Sequence, residues 1–109
     1  ATEALKGHLN SYGYMKNNIQ KIQNIVADYY KISVDDMKSK KRTSKIAFPR
    51  QIAMYLSRVM TDESFPRIGI EFGGKDHSTI IHACEKIENE MKQDKSLEQI
   101  INKLKEKIT

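Results

Sequence analysis

A chain of 109 residues has room for one modest core and not for two. Its 19 Lys and Arg against 14 Asp and Glu leave a formal charge of +5, which favours an anionic partner, nucleic acid or an anionic membrane surface. With 39% hydrophobic and 30% charged residues the chain is not a disordered basic tail, no apolar run approaches a membrane span, and the single cysteine, Cys84, excludes an internal disulfide and fits a reducing, cytoplasmic setting.

Thr2 to Leu9 is rich in helix formers, and Asn10, Ser11, Tyr12 and Gly13 break it. With Ala1 where an initiator Met would stand, residues 1–16 read as a connecting helix and linker from a preceding domain, and residues 17–109 as the domain itself. From Asn18 to Tyr30, Ile19, Ile22, Val26 and Tyr29 recur at the spacing of a helix with one buried stripe, capped by Asn17 or Asn18. Ser33 followed by Val34, Asp35, Asp36 and Met37 predicts a capped helix of one or two turns.

Beyond it, Lys38, Lys40, Lys41, Arg42, Lys45, Arg50 and Arg58 occur with no acid between Asp36 and Asp62, the strongest charge asymmetry in the chain. Pro49 suits the first turn of the next helix, whose stripe is Ile52, Leu56, Val59 and Met60 and whose end falls near Thr61. Ser64 caps a short helix spanning Arg67 to Phe72, and Gly73 and Gly74 stop it. Asp76 caps a longer helix with Ile80, Cys84, Ile87 and Met91 on its buried stripe, and a final helix from Ser96 carries Leu97, Ile100, Ile101, Leu104 and Ile108. No strand pattern is long enough to register, so the fold class is all-α.

A short helix, a Gly-Gly turn and a helix opening with polar residues is the arrangement by which a helix-turn-helix presents its second helix to a major groove. Asp76, His77, Ser78 and Thr79 supply acceptors, donors and a methyl group where base edges are read. An ordinary helical hairpin with a capped start has the same pattern. The basic run could neutralise phosphates and release their counterions, or be a solvated loop. His77 and His82 are spaced onto different helix faces and Cys84 lies on the apolar stripe, which argues against a metal site or a thiol nucleophile. No Walker-type loop is present, and no residue set supports an enzyme.

The stretch Ile68-Gly69-Ile70-Glu71-Phe72-Gly73-Gly74-Lys75-Asp76-His77-Ser78-Thr79-Ile80-Ile81-His82-Ala83-Cys84-Glu85-Lys86-Ile87 closely resembles the signature of the bacterial chromosomal replication initiator family, DnaA. Asn18-Ile19-Gln20-Lys21 with Tyr29-Tyr30-Lys31-Ile32, and Ser39-Lys40-Lys41-Arg42 with Ala47-Phe48-Pro49-Arg50-Gln51-Ile52-Ala53-Met54, agree in order and spacing, so the resemblance covers about residues 17 to 95. It implies a Trp-repressor-like helix-turn-helix domain that binds double-stranded DnaA boxes, of the TTATNCACA type, at the replication origin. No cofactor is implied in this part, ATP and Mg²⁺ belonging to an AAA+ domain outside it, and the parent would self-assemble on the origin and meet other replication regulators at the nucleoid.

By the same resemblance, Asp76, His77 and Ser78 read bases in the major groove, Pro66 touches a base, and Arg42 enters the adjacent minor groove. Lys45, Arg50, Gln51, Arg58, Lys75, Thr79 and His82 are implied at phosphates. The chain departs from the family where Lys75 replaces a common Arg, losing the bidentate fork, where Ser78 replaces a common Thr, and where Ser44 stands in place of a second loop arginine, leaving Lys45 to take over. A basic protein-docking or membrane-surface module is the reading from a different class, and base specificity separates the two.

Overall fold

The computed structural model describes residues 18–109, and every regular element among them is an α-helix. Helix α1 runs through residues 18–30 and buries Ile19, Ile22 and Val26 of the predicted stripe, together with Ala27, while Tyr29 is partly buried against the core. Asn18 is helical and buried, not a cap; Asn17, like the linker assigned to residues 1–16, lies outside the described residues. The helix ends at Lys31 in the left-handed region (φ 57), and the amide of Ile32 donates to Ala27 O at 2.9 Å, a closure that usually employs Gly.

Helix α2, Val34–Met37, is a capping box: Ser33 Oγ accepts from the Asp36 amide and the Asp36 carboxylate accepts from the Ser33 amide. Met37 anchors this short element in the core. Helix α3, Ser44–Met60, begins at an N-cap on Thr43, well before the start predicted from Pro49. The amides of Ile46 and Ala47 both donate to Thr43 O, at 2.9 and 2.8 Å, so the helix is under way before proline is reached. Pro49 therefore sits inside α3. The bond that it forfeits would have used the Lys45 carbonyl, in the exposed first turn, where water can substitute.

Ile52, Ala53, Leu56 and Met54 of α3 are buried, whereas Val59, expected on the same stripe, is 46% exposed and Met60 is partly buried against the core; the helix ends at Thr61. Helix α4, Phe65–Glu71, and helix α5, His77–Gln93, form the predicted pair. Ile80, Ala83, Cys84 and Ile87 of α5 are buried, and α5 packs on α3, α4 and α6, so it is the central post of the core. Helix α6, Lys95–Ile108, starts one residue before the predicted Ser96, because Asp94 Oδ1 accepts from the amides of Ser96 and Leu97 and outcompetes serine as the cap. Leu97, Ile101, Leu104 and Ile108 close the core from that side. Gln23 of α1, fully buried, donates to Glu71 O at 2.9 Å, fixing α1 against the end of α4.

Candidate nucleic-acid interface

The helix-turn-helix is built from local chemistry. Ser64 Oγ accepts from the Arg67 amide at 3.2 Å, and Pro66 sits at the start of α4, exposed, where its missing donor costs nothing. Ile68 and Phe72 are wholly buried and hold α4 to the core. The chain then reverses through Gly73 (φ 91) and Gly74 (φ 77), a region closed to most side chains. The Lys75 amide donates to Gly69 O at 2.8 Å. A Cβ on Gly69 would overlap the Lys75 carbonyl oxygen, so glycine there sets how closely α4 approaches the start of α5.

Asp76 occupies the N-cap of α5 with no side-chain cap bond. Its Oδ1 instead lies 3.0 Å from His77 Nδ1. Asp76, His77 and Thr79 are exposed and Ser78 is half-buried, while Ile80 immediately after is buried. The first turn of α5 thus presents polar groups on a rigid root.

The predicted basic loop is shorter than the sequence suggested, because Ser44 and Lys45 belong to α3. What remains runs from Lys38 to Thr43 and is shaped by two cations turned inward. Arg50 is only 8% exposed; its Nη2 donates to Lys41 O at 2.8 Å and its Nη1 reaches Asp36 O and Ser39 Oγ, each at 3.4 Å. Lys75 is half-buried, and its Nζ donates to Ser39 O at 2.8 Å and to Phe72 O at 2.7 Å. Burial pushes the pKa of both below the ordinary range; for Arg50 the Asp36 carboxylate opposes the shift, and for Lys75 the positive charges of Arg50 and Lys40 add to it. The amide of Ser33 holds the Asp36 carboxyl below its usual value, aided by Lys41, whose Nζ lies 3.3 Å away.

Arg42 projects from this framed loop, exposed. Between the loop, the start of α3 and the flank of α5 lies a cleft of about 440 Å³ walled by Arg42, Ser44, Arg50, Gln51 and Lys86. Sequence alone does not single out Lys86; its signal is a spacing of four from His82, which puts two exposed basic side chains on one face of α5. Lys45 is exposed in the first turn of α3. Arg58 stands apart: its Nη1 donates to Glu63 O at 3.0 Å and its guanidinium lies 4.2 Å over the Phe65 ring, next to Pro66. The predicted residues therefore fall into three groups, one at the head of α5, one around the loop and α3 start, and one at the junction of α3 with α4. Lys75 joins the first two. Among the described residues there is no cluster of three metal-type side chains, and no helix is long and apolar enough to cross a membrane.

The family model described as the bacterial dnaA protein helix-turn-helix matches residues 19–87, which takes in α1 through the buried half of α5. A solved structure described as a DNA replication initiation factor superposes with a TM-score of 0.80 at 31% identity, covering 94% of this chain and 32% of that one. The chain thus spans about a third of the length of that relative.

Proposed function

This chain belongs to the bacterial DnaA helix-turn-helix family, and from that membership we propose that it binds double-stranded DNA sequence-specifically, at DnaA boxes of the replication origin. The observation that carries the reading is the exposed, polar first turn of α5 with Ile80 rooted beneath it. In the major groove, one Asp76 oxygen can accept from a cytosine amino group while the other holds His77, and His77 Nε2 and Ser78 Oγ meet neighbouring base edges. Pro66 packs on a thymine methyl. Arg42 enters the adjacent minor groove, where a narrow groove concentrates negative potential.

Lys45, Gln51, Arg58, Thr79 and His82 hold phosphates on either side, and Lys86 joins them through the cleft. Arg50 and Lys75 act indirectly, by shaping the loop. In a longer protein of this family the ATP and Mg²⁺ chemistry belongs to another domain, and this part supplies the address on DNA for assembly at the origin, in the cytoplasm at the nucleoid, where other replication regulators would meet it.

The test is fluorescence anisotropy with a labelled duplex carrying one box, against a scrambled duplex of equal composition, over a range of salt. Preference for the box by roughly 10³ or more, with both affinities falling steeply as salt rises, is the expected result. Substituting Asp76 or His77 by Ala then erodes the preference by about 1 to 3 kcal/mol for each lost contact. Equal binding to the two duplexes would refute base reading and leave a basic docking surface.

A further inference from the structure

We propose that Lys75 is a positioning residue that, through Ser39, clasps the Arg42 loop to the turn of the helix-turn-helix and makes the two DNA-reading elements one rigid surface. This rests on the DNA-binding reading above and deepens it. Lys75 Nζ bridges the carbonyl of Ser39 in the loop and that of Phe72 at the end of α4, at 2.8 and 2.7 Å. Two of the three ammonium donors are spent on backbone in a half-buried position.

Ser39 is where the braces meet. Its carbonyl takes Lys75, its hydroxyl donates to Asp36 O at 2.9 Å and accepts from the Lys41 amide at 3.3 Å, and Arg50 reaches the same hydroxyl at 3.4 Å. A second contact supports the clasp. Gly73 is pressed so closely on the carbonyl of Lys38 that a Cβ there would overlap it. The turn and the loop therefore touch at two places, Gly73 at Lys38 and Lys75 at Ser39. Lysine suits this seat because its ammonium is compact and can aim its donors at two separate carbonyls; a planar guanidinium carries a fixed fork better matched to an external phosphate.

The experiment is a double-mutant cycle on this chain, with Lys75→Met, Arg42→Ala and the pair, read by anisotropy on the box duplex across salt. If Lys75 acts through the loop, K75M weakens binding on the order of tenfold alone but by less than about twofold in the R42A background. Equal losses in both backgrounds, with a salt slope smaller by roughly 1, would make Lys75 a phosphate ligand and overturn the clasp; so would no loss in either. Lys75→Arg keeps the charge and guards against a misfolded K75M, and tighter binding by K75R than by wild type also overturns it. Hydrogen exchange of the free chain separates this proposal from the DNA reading. Faster exchange at the amides of residues 40–43 in K75M, with the core amides of α5 unchanged, supports the clasp even if wild type fails to distinguish the box, and unchanged loop exchange refutes it.

Discussion

Replacing Arg50 by Ala tests whether this cation belongs to the protein or to its ligand. The bond from Nη2 to Lys41 O, at 2.8 Å, is a full charge-assisted hydrogen bond, of the kind that contributes about 1.5 to 3 kcal/mol. The two Nη1 contacts, at 3.4 Å, are at the limit of bonding and add little. The Lys41 carbonyl sits in an exposed loop, so water recovers part of the loss, and the buried stem forfeits some packing. Together these place the cost near 2 kcal/mol, roughly 10 °C in Tm for a domain of this size. Urea unfolding followed by circular dichroism measures it. Arg50→Lys should lose nearly as much, because one ammonium cannot span the carbonyls of Asp36 and Lys41 and the hydroxyl of Ser39, although its formal charge is unchanged. On the box duplex both variants bind more weakly with an unaltered salt slope. Stability within about 0.5 kcal/mol of wild type, combined with a slope lower by roughly 1 in the alanine variant, would show instead that the guanidinium serves a phosphate.

Three further outcomes follow from the packing. Gly69→Ala drives a methyl into the Lys75 carbonyl and forces α4 away from α5, costing about 1 to 3 kcal/mol in urea unfolding and weakening box recognition with it; a neutral effect would mean that the two helices can part freely. Lys31→Gly relieves the left-handed backbone at φ 57 and should raise stability by about 1 kcal/mol, and a loss of stability would contradict that source of strain. Burial pushes the Cys84 thiol from 9.0 up to about 11, so a disulfide reagent at pH 8 should leave it unmodified until urea unfolds the chain. Its contribution to stability is complete below pH 9 and disappears as pH climbs toward 11, since the unfolded thiol ionises first; the difference between wild type and Cys84→Ala over that window reads it, and a flat difference would contradict the burial argument.

Much of this molecule follows from spacing alone. The stripes of α1, α5 and α6 and the caps Ser33 and Ser64 are set by neighbours a few residues away, so the pattern of apolar and hydroxyl residues suffices to find them. The start of α3 differs from the predicted one because Pro49 is a strong local signal for a first turn, while the true cap, Thr43, lies inside the basic run and makes no side-chain cap bond. Asp94 was missed beside Ser96 for a similar reason: two capping residues stand close together, and only the geometry of the turn between α5 and α6 decides which carboxylate or hydroxyl meets the free amides. The head of α5 was legible as a site from its position after the Gly-Gly turn. The inward direction of Arg50 and Lys75 was not, since their acceptors are backbone carbonyls and one hydroxyl, groups whose placement depends on the loop path and leaves no trace in residue type.

That division of directions changes what the charge asymmetry means. In sequence, Lys38, Lys40, Lys41, Arg42, Lys45, Arg50 and Arg58 form a single positive block. In the fold, Arg50 is turned inward and Lys41 is paired with Asp36, while Lys38, Lys40, Arg42, Lys45 and Arg58 stand exposed, Arg58 lying over the Phe65 ring. Each neutralised phosphate adds about 0.9 to the magnitude of the slope of log affinity against log salt on duplex DNA. If the loop stays framed when DNA binds, this block adds to the slope only through its outward members, and Lys41→Ala and Arg50→Ala leave the slope where it was. If the loop opens on the duplex, the slope of wild type steepens by their share and each of those substitutions removes it. The salt dependence of the single variants thus reports, with no structure of the complex, whether the framework seen in the free chain is the one that meets DNA.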